Sequence, residues 1–250
     1  MAGEKRVDGD VVVARFVVEY FRRATARLHG QDKCCSLSSQ QHTRTSTRMA
    51  AAAAAPTTVV VDARYCAPEA TAFAVARVIG STDRDFAVTD AAGAVVMRVE
   101  GALFSFRRRT TLLDAARRPV LTMLDSTYLM SSRWDVFRGD SSSRRSLLFT
   151  AVKESVVQVR TKIFVYLAGY RSAEQVPDFV VGGSYYNGAC TVFAGNSDSD
   201  DNAIAHITRQ NLAGTLRGLT RHVYTARINP GIDQAFIQSL AVILHEMHHY

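Results

Sequence analysis

Residues Ala235 to Leu244 (Ala-Phe-Ile-Gln-Ser-Leu-Ala-Val-Ile-Leu) are apolar on nearly every side of a helix. A surface helix carries one apolar stripe, whereas a helix apolar all round must be enclosed. The rest of the chain therefore has to wrap around this segment. The same helix runs into His245-Glu246-Met247-His248-His249, which matches the H-E-x-x-H pattern of zinc peptidases. In a zinc-dependent hydrolase, His245 and His249 would share a helix face and Glu246 would act as base. Only Tyr250 follows, so a third ligand would have to come from His206, His222 or a carboxylate elsewhere. The competing reading is a core helix whose polar end emerges into water, where imidazole suits the negative end of the helix dipole. The enclosed turns before it favour the core helix, and no catalytic residue, metal or cofactor is assigned.

What surrounds the helix reads as β-structure. Phe86 to Asp90 and Ala94 to Glu100 flank Ala91-Ala92-Gly93, where Gly93 suits a tight turn and Asp90 can bond its backbone. Arg109 to Asp114 and Pro119 to Leu124 repeat the device, followed by Arg133 to Arg138 and Ser146 to Thr150. Val157 to Leu167 alternates most clearly, with Val157, Val159, Thr161, Ile163, Val165 and Leu167 on one face. Further strands are expected at Asp178 to Gly182, Ala189 to Ala194, Ala203 to Thr208 and His222 to Ile228. Strands about ten residues apart indicate an antiparallel meander, barrel or sandwich. A sheet curled around one apolar helix removes the sheet edges and fills the lumen together.

The chain before this region differs. Residues 1–48 hold nine Lys/Arg and five Asp/Glu, while the other 202 residues hold 21 and 18. Val11 to Leu28 has a helix-compatible pattern, and residues 36–48 are polar and poor in aromatics. An organelle transit peptide would be poor in acids, and Glu4, Asp8, Asp10, Glu19 and Asp32 count against one. Met49 followed by Ala50 to Ala55, Pro56 and Val59-Val60-Val61 resembles a natural start. The expected organisation is a disordered or spurious extension over 1–48, an Ala/Pro-rich lead-in over 49–58, and one domain over 59–250.

Charge and cysteine usage narrow the function classes. The small positive surplus after residue 48 argues against direct nucleic-acid binding. Cys34, Cys35, Cys66 and Cys190 form no C-x-x-C pair and no disulfide framework, which suits a reducing compartment. The terminal helix over Asp233 to Met247 would be about 22 Å long, short of the roughly 30 Å hydrocarbon layer. No transmembrane span is expected.

Several fragments, in order, resemble the plant LURP-one-related family. They include Asp62-Ala-Arg-Tyr-Cys-Ala-Pro68, Phe86-Ala-Val-Thr-Asp-Ala-Ala-Gly93, Leu112-Leu-Asp114 with Pro119-Val-Leu-Thr122, and Trp134-Asp-Val-Phe-Arg-Gly139. Leu148-Phe-Thr150, Asp178-Phe179, Cys190-Thr-Val192 and Asn229-Pro-Gly-Ile-Asp-Gln-Ala-Phe-Ile237 continue the series. The resemblance spans roughly Val59 to Met247 and implies a fold similar to the tubby C-terminal domain. That fold is a closed antiparallel barrel of about twelve strands around a central hydrophobic C-terminal helix. The resemblance also implies kinship with phospholipid scramblases and membrane-tethered transcription factors, and a role in plant defence without an established biochemical activity.

The expected function is therefore a non-enzymatic cytoplasmic module, peripheral at the plasma membrane or nuclear, that binds an anionic phospholipid or a protein partner. A purely structural scaffold is the third class beside this one and the zinc hydrolase. Arg107, Arg108 and Arg109 are the candidate lipid contacts, because clustered guanidinium groups bind phosphate oxygens bidentately. Alternation sends Arg108 to the face opposite Arg107 and Arg109, so at most two can line one pocket. Arg117-Arg118 and Arg144-Arg145 are secondary candidates, and all of these also suit solvated turns and strand edges. Gly182-Gly183 and Gly188 bracket Tyr185-Tyr186-Asn187 as a hairpin loop, and Cys66 and Cys190 read as small buried hydrophobes.

Overall fold

A single ladder of antiparallel strands accounts for the whole described chain apart from the terminal helix and short connections. The computed structural model describes residues 57–78, 85–102, 108–127, 132–153, 160–168, 175–210 and 223–248. The assigned extension over 1–48 lies outside them, as do residues 49–56 of the lead-in, Arg107 and His249.

The strands are β1 (Thr71–Arg77), β2 (Phe86–Thr89), β3 (Val95–Gly101), β4 (Arg109–Asp114), β5 (Pro119–Asp125) and β6 (Arg133–Arg138). They continue as β7 (Leu147–Lys153), β8 (Thr161–Leu167), β9 (Phe179–Ser184), β10 (Ala189–Ala194), β11 (Ala203–Gln210) and β12 (Val223–Ile228). Each pairs with its neighbour in sequence, and β12 closes onto β1 from Thr71↔Ile228 to Ala76↔Val223. No sheet edge remains unpaired along this ladder, which is the advantage of closure.

Local chemistry builds the turns where the sequence places them. Asp90 accepts hydrogen bonds from the N–H groups of Ala92 and Ala94 at 2.9 Å, and Gly93 adopts φ +85°. Between β9 and β10 the backbone closes so tightly that a Cβ on Gly183 would lie 2.5 Å from the Ala189 carbonyl oxygen. Only glycine fits that approach.

Helix α1 (Gln234–Glu246) fills the barrel, and every residue from Ala235 to Glu246 is buried. Phe236, Ile237, Leu240, Val242, Ile243 and Leu244 are all 2% exposed or less, as the all-round apolar pattern demands. Phe236 meets Phe149 of β7 edge-on and Phe179 of β9 at a tilt, with ring centroids 5.2 and 4.9 Å away.

Asp233 fixes the N-terminal end of α1. Its Oδ1 caps the helix by accepting from the Phe236 N–H at 3.2 Å. Its Oδ2 accepts from the N–H groups of Val60, Val61 and Asp62 at 3.2, 2.7 and 3.0 Å. One fully buried carboxylate thus ties the segment before β1 to the helix start.

Two expectations about elements change, and one strand, β1, was not expected. Strand β1 carries Thr-Ala-Phe-Ala-Val-Ala-Arg, and Ala74 and Ala76 are as buried as Phe73 and Val75, so it shows no apolar/polar contrast. Strand β7 continues past Thr150 to Lys153. The described part of β8 begins at Thr161, with Val157 and Val159 outside the described residues. Among the described residues no helix is long and apolar enough to cross a membrane.

Candidate functional site

Contacts at the two ends of α1 orient the barrel. Gln234 reaches Thr71 at the start of β1, whereas His245 packs against Phe86 at the start of β2. Odd-numbered strands therefore run toward the C-terminal end of α1 and even-numbered strands return from it. We call that end the mouth.

The polar end of the helix does not emerge into water, contrary to the core-helix expectation. His245 is 4% exposed and Glu246 5%. The strands extend beyond the last helical turn, so its polar groups are enclosed and find protein partners. His245 Nδ1 shares a 2.7 Å hydrogen bond with the Tyr224 hydroxyl, which shares one of 2.8 Å with the Tyr185 hydroxyl. The Phe86 ring meets the His245 ring edge-on at 5.1 Å. Arg108 bridges two carboxylates, with Nε 3.4 Å from Asp125 and a terminal nitrogen 4.0 Å from Glu246.

His248 is committed on both ring nitrogens. Nδ1 lies 2.8 Å from the Leu244 carbonyl, which can only accept, so Nδ1 carries a proton. Nε2 is 3.3 Å from Thr161 Oγ1, which in turn accepts from the Tyr185 N–H at 3.0 Å. The His248 ring stacks on Tyr185 at 4.2 Å, and the Arg209 guanidinium also rests over Tyr185, 5.0 Å from the centroid.

The titratable groups here are not tuned as nucleophiles. Burial pushes the Cys190 thiol up to about 11, with its hydrogen bond to Thr161 only partly opposing. A thiol with that pKa is almost wholly protonated at neutral pH. Burial likewise raises the Tyr224 phenol, reinforced by its bond to Tyr185. Among the described residues no group of three or more metal-ligating side chains comes together. His206 is engaged elsewhere, sharing a 3.0 Å hydrogen bond with Thr191 on the barrel exterior.

Of the sequence-designated arginines, Arg107 lies outside the described residues, and the other two face opposite ways. Arg108 points into the mouth toward Asp125 and Glu246, whereas Arg109 pairs with Asp140 outside. The structure does not bring them together, as alternation requires. Arg117 pairs with Glu100 and Arg118 with Asp114, both at 2.8 Å or less, while Arg144 and Arg145 are exposed.

Sequence reading missed Tyr224, Tyr185 and Lys153 as members of the mouth. The hydroxyl chain joins β12, the β9–β10 connection and α1, and no local spacing announces it. Lys153 did leave a signal, because Phe149, Ala151 and Lys153 keep the period-two spacing of one face. Tyr224→Phe removes both hydroxyl contacts at once. It should cost about 1–3 kcal/mol, read from the shift in urea midpoint at constant slope.

The sequence profile of the LURP-one-related family matches residues 71–245, from the first strand to the last turn of α1. The chain belongs to the LURP-one-related family. Among its relatives, LURP-one-related 15 from Arabidopsis thaliana is 36% identical over 190 residues, covering 76% of this chain and 85% of the relative. LURP1 from the same plant is also 36% identical, over 191 residues, covering 76% and 89% respectively. An X-ray structure of an Arabidopsis thaliana protein superposes with a TM-score of 0.58 at 31% identity. It covers 76% of this chain and 99% of that one. The LURP-one-related match leaves out the region before β1 and ends at His245, so Glu246 and His248 fall just beyond it.

Proposed function

We propose that this LURP-one-related barrel is a non-catalytic binding module that docks on anionic phospholipid at a cytoplasmic membrane surface, within plant stress or defence signalling. The observation that carries this reading is the group of cations at the mouth of the barrel. Arg77, Lys153, Arg160 and Arg209 stand at strand termini around the mouth. The mouth also holds Asp85, Asp125 and Glu246, and the turns at the far end mix Asp90, Asp114, Asp178, Asp198, Asp200 and Asp201 with Arg117, Arg118, Arg144 and Arg145. Cations so placed would meet an acidic surface mouth first. The burial of His245 and Glu246, with Glu246 4.0 Å from the Arg108 guanidinium, weighs against the zinc hydrolase, whose base must reach a metal-bound water. Kinship with scramblases and tethered transcription factors comes from the family resemblance and accords with a membrane-facing role.

Co-sedimentation with vesicles tests the reading. The full chain should bind phosphatidylcholine vesicles that contain phosphatidylserine or phosphoinositide, and not phosphatidylcholine alone. Binding should weaken from low to high salt, because the Debye length is only about 8 Å at physiological ionic strength. Replacing Arg107, Arg108 and Arg109 together by Ser should weaken it by about fivefold for each cation that meets the surface, ~1 kcal/mol apiece. Equal binding by both proteins would remove these arginines from the contact. No binding by the wild type at low salt would end the lipid reading and leave a protein partner as the alternative.

A further inference from the structure

The outer wall of the barrel is buried along one strip. Phe73 and Val75 of β1 belong to the main core inside, so Ala74 and Ala76 point outward. A second, separate cluster forms there from Ala74, Ala76, Val78 and Ala87. The ladder extends it into two rows, Thr225–Ala74–Thr89 and Val223–Ala76–Ala87. Ala74 and Ala76 are 1% exposed, and Ala87 and Thr89 are 0%. The strip has limits, because Thr208, beyond Thr225, is exposed and Arg98, beyond Ala87, is half-buried.

Alanines on the outside of a sheet cannot bury one another to this degree, so something lies over them. Among the described residues, the hydrophobic packed against the cluster is Val223, which belongs to the same ladder. The Thr89 hydroxyl is buried without a hydrogen-bond partner, so the cover presents apolar surface to it. The strip spans three strands, two spacings of about 4.8 Å, which matches the roughly 10–12 Å width of an α-helix. From Ala74 to Val78 it is about 13 Å long, the rise of about nine helical residues.

The sequence supplies a segment of that shape. Val13, Phe16, Val17, Tyr20 and Ala24 follow the spacing of an apolar helical stripe, with Arg15, Glu19 and Arg22 on the other side. Neither glycine nor proline interrupts residues 10–29. The chain from 29 to 56 can then extend up to about 90 Å, enough to reach any part of the barrel wall. The connection 211–222 also carries leucines, but Gly214 and Gly218 weaken a helix there.

We propose that residues 11–28 form a helix docked on the outer face of β1, β2 and β12, with Phe16, Val17 and Tyr20 against the alanine strip. For these residues it replaces the disordered extension expected from the sequence. The segment lies outside the LURP-one-related match, which begins at Thr71, and the inference is independent of the membrane reading. The sheet separates the covered cluster from the main core, so the helix can leave without opening the barrel.

Alkylation at position 74 of Ala74→Cys, in the full chain and read by peptide mass spectrometry under reducing conditions, provides the test. Reaction should be slow. Adding Val17→Asp and Tyr20→Asp should quicken it about tenfold or more, because a carboxylate on the stripe cannot enter an apolar contact. Cys190, inside the main core, is the internal control and should stay protected in both proteins. Protection at position 74 that survives the Asp pair would overturn the inference and assign the cover to another segment, such as 211–222. Fast reaction in both proteins would overturn it too, the strip then being open. Protection that fades on dilution would overturn it in favour of a second copy of the chain. Reaction of Cys190 together with position 74 would overturn the separable helix, because the barrel itself would have opened.

Discussion

Leu240→Asp should abolish the cooperative thermal transition of the barrel, leaving a chain without a sharp near-UV circular dichroism spectrum. Leu240 is 2% exposed at the middle of α1. Truncating such a residue costs about 2–5 kcal/mol through lost burial and the cavity left behind. Placing a carboxylate there adds the penalty of an unpaired buried charge. Total stabilities of domains are about 5–15 kcal/mol, so the sum rivals the whole. Leu240→Met is the control, because a swap of similar volume should cost less than about 1.5 kcal/mol. A cooperative, wild-type-like melt for Leu240→Asp would mean that the helix is not the core of the barrel.

The second large effect is expected at Asp233. Its two oxygens serve four backbone N–H groups, from Val60, Val61, Asp62 and Phe236. Asp233→Ala removes the helix cap and the acceptor that holds the segment before β1. The loss should be about 3–5 kcal/mol by urea denaturation, since hydrogen bonds to charged groups are worth roughly twice neutral ones and water can replace some of them. Asp233→Asn should recover only part, because an amide can keep one oxygen for the cap while its NH2 faces donors. If Asn restored full stability, the bonds to residues 60–62 would be incidental. The motif Asn229-Pro-Gly-Ile-Asp233 thus has a structural role that the sequence did not disclose. The aspartate looks like a helix cap and also serves a segment 171 to 173 residues earlier.

Legibility followed the range of the interaction. The β2–β3 turn was readable because Asp90 bonds residues two and four positions on. The opposite facing of Arg108 and Arg109 was readable because the strand period is two. Strand β1 was not, since small residues buried on both sides erase the alternation that marks a strand. The fate of His245 was not readable either. The same helix end fits water, zinc or a buried hydrogen bond, and only Tyr224 on β12 decides among them. Lys153 lies between these cases: its face follows from the spacing after Phe149, but its burial depends on what the other strands bring.

By itself the sequence determined that a helix apolar on all sides had to be enclosed, and that short strands with turn chemistry would enclose it. Those properties reside in single segments, where periodicity and turn residues act over a few positions. The tertiary structure decided that β12 closes on β1, which pairs Thr71 with Ile228 across most of the chain. It also decided which polar groups share the mouth, matching Tyr224 to His245 and Arg108 to Glu246. The physical reason is that the cost or gain of a buried polar group is set by its partners. In a closed barrel those partners come from strands far apart in sequence, so no local pattern can name them.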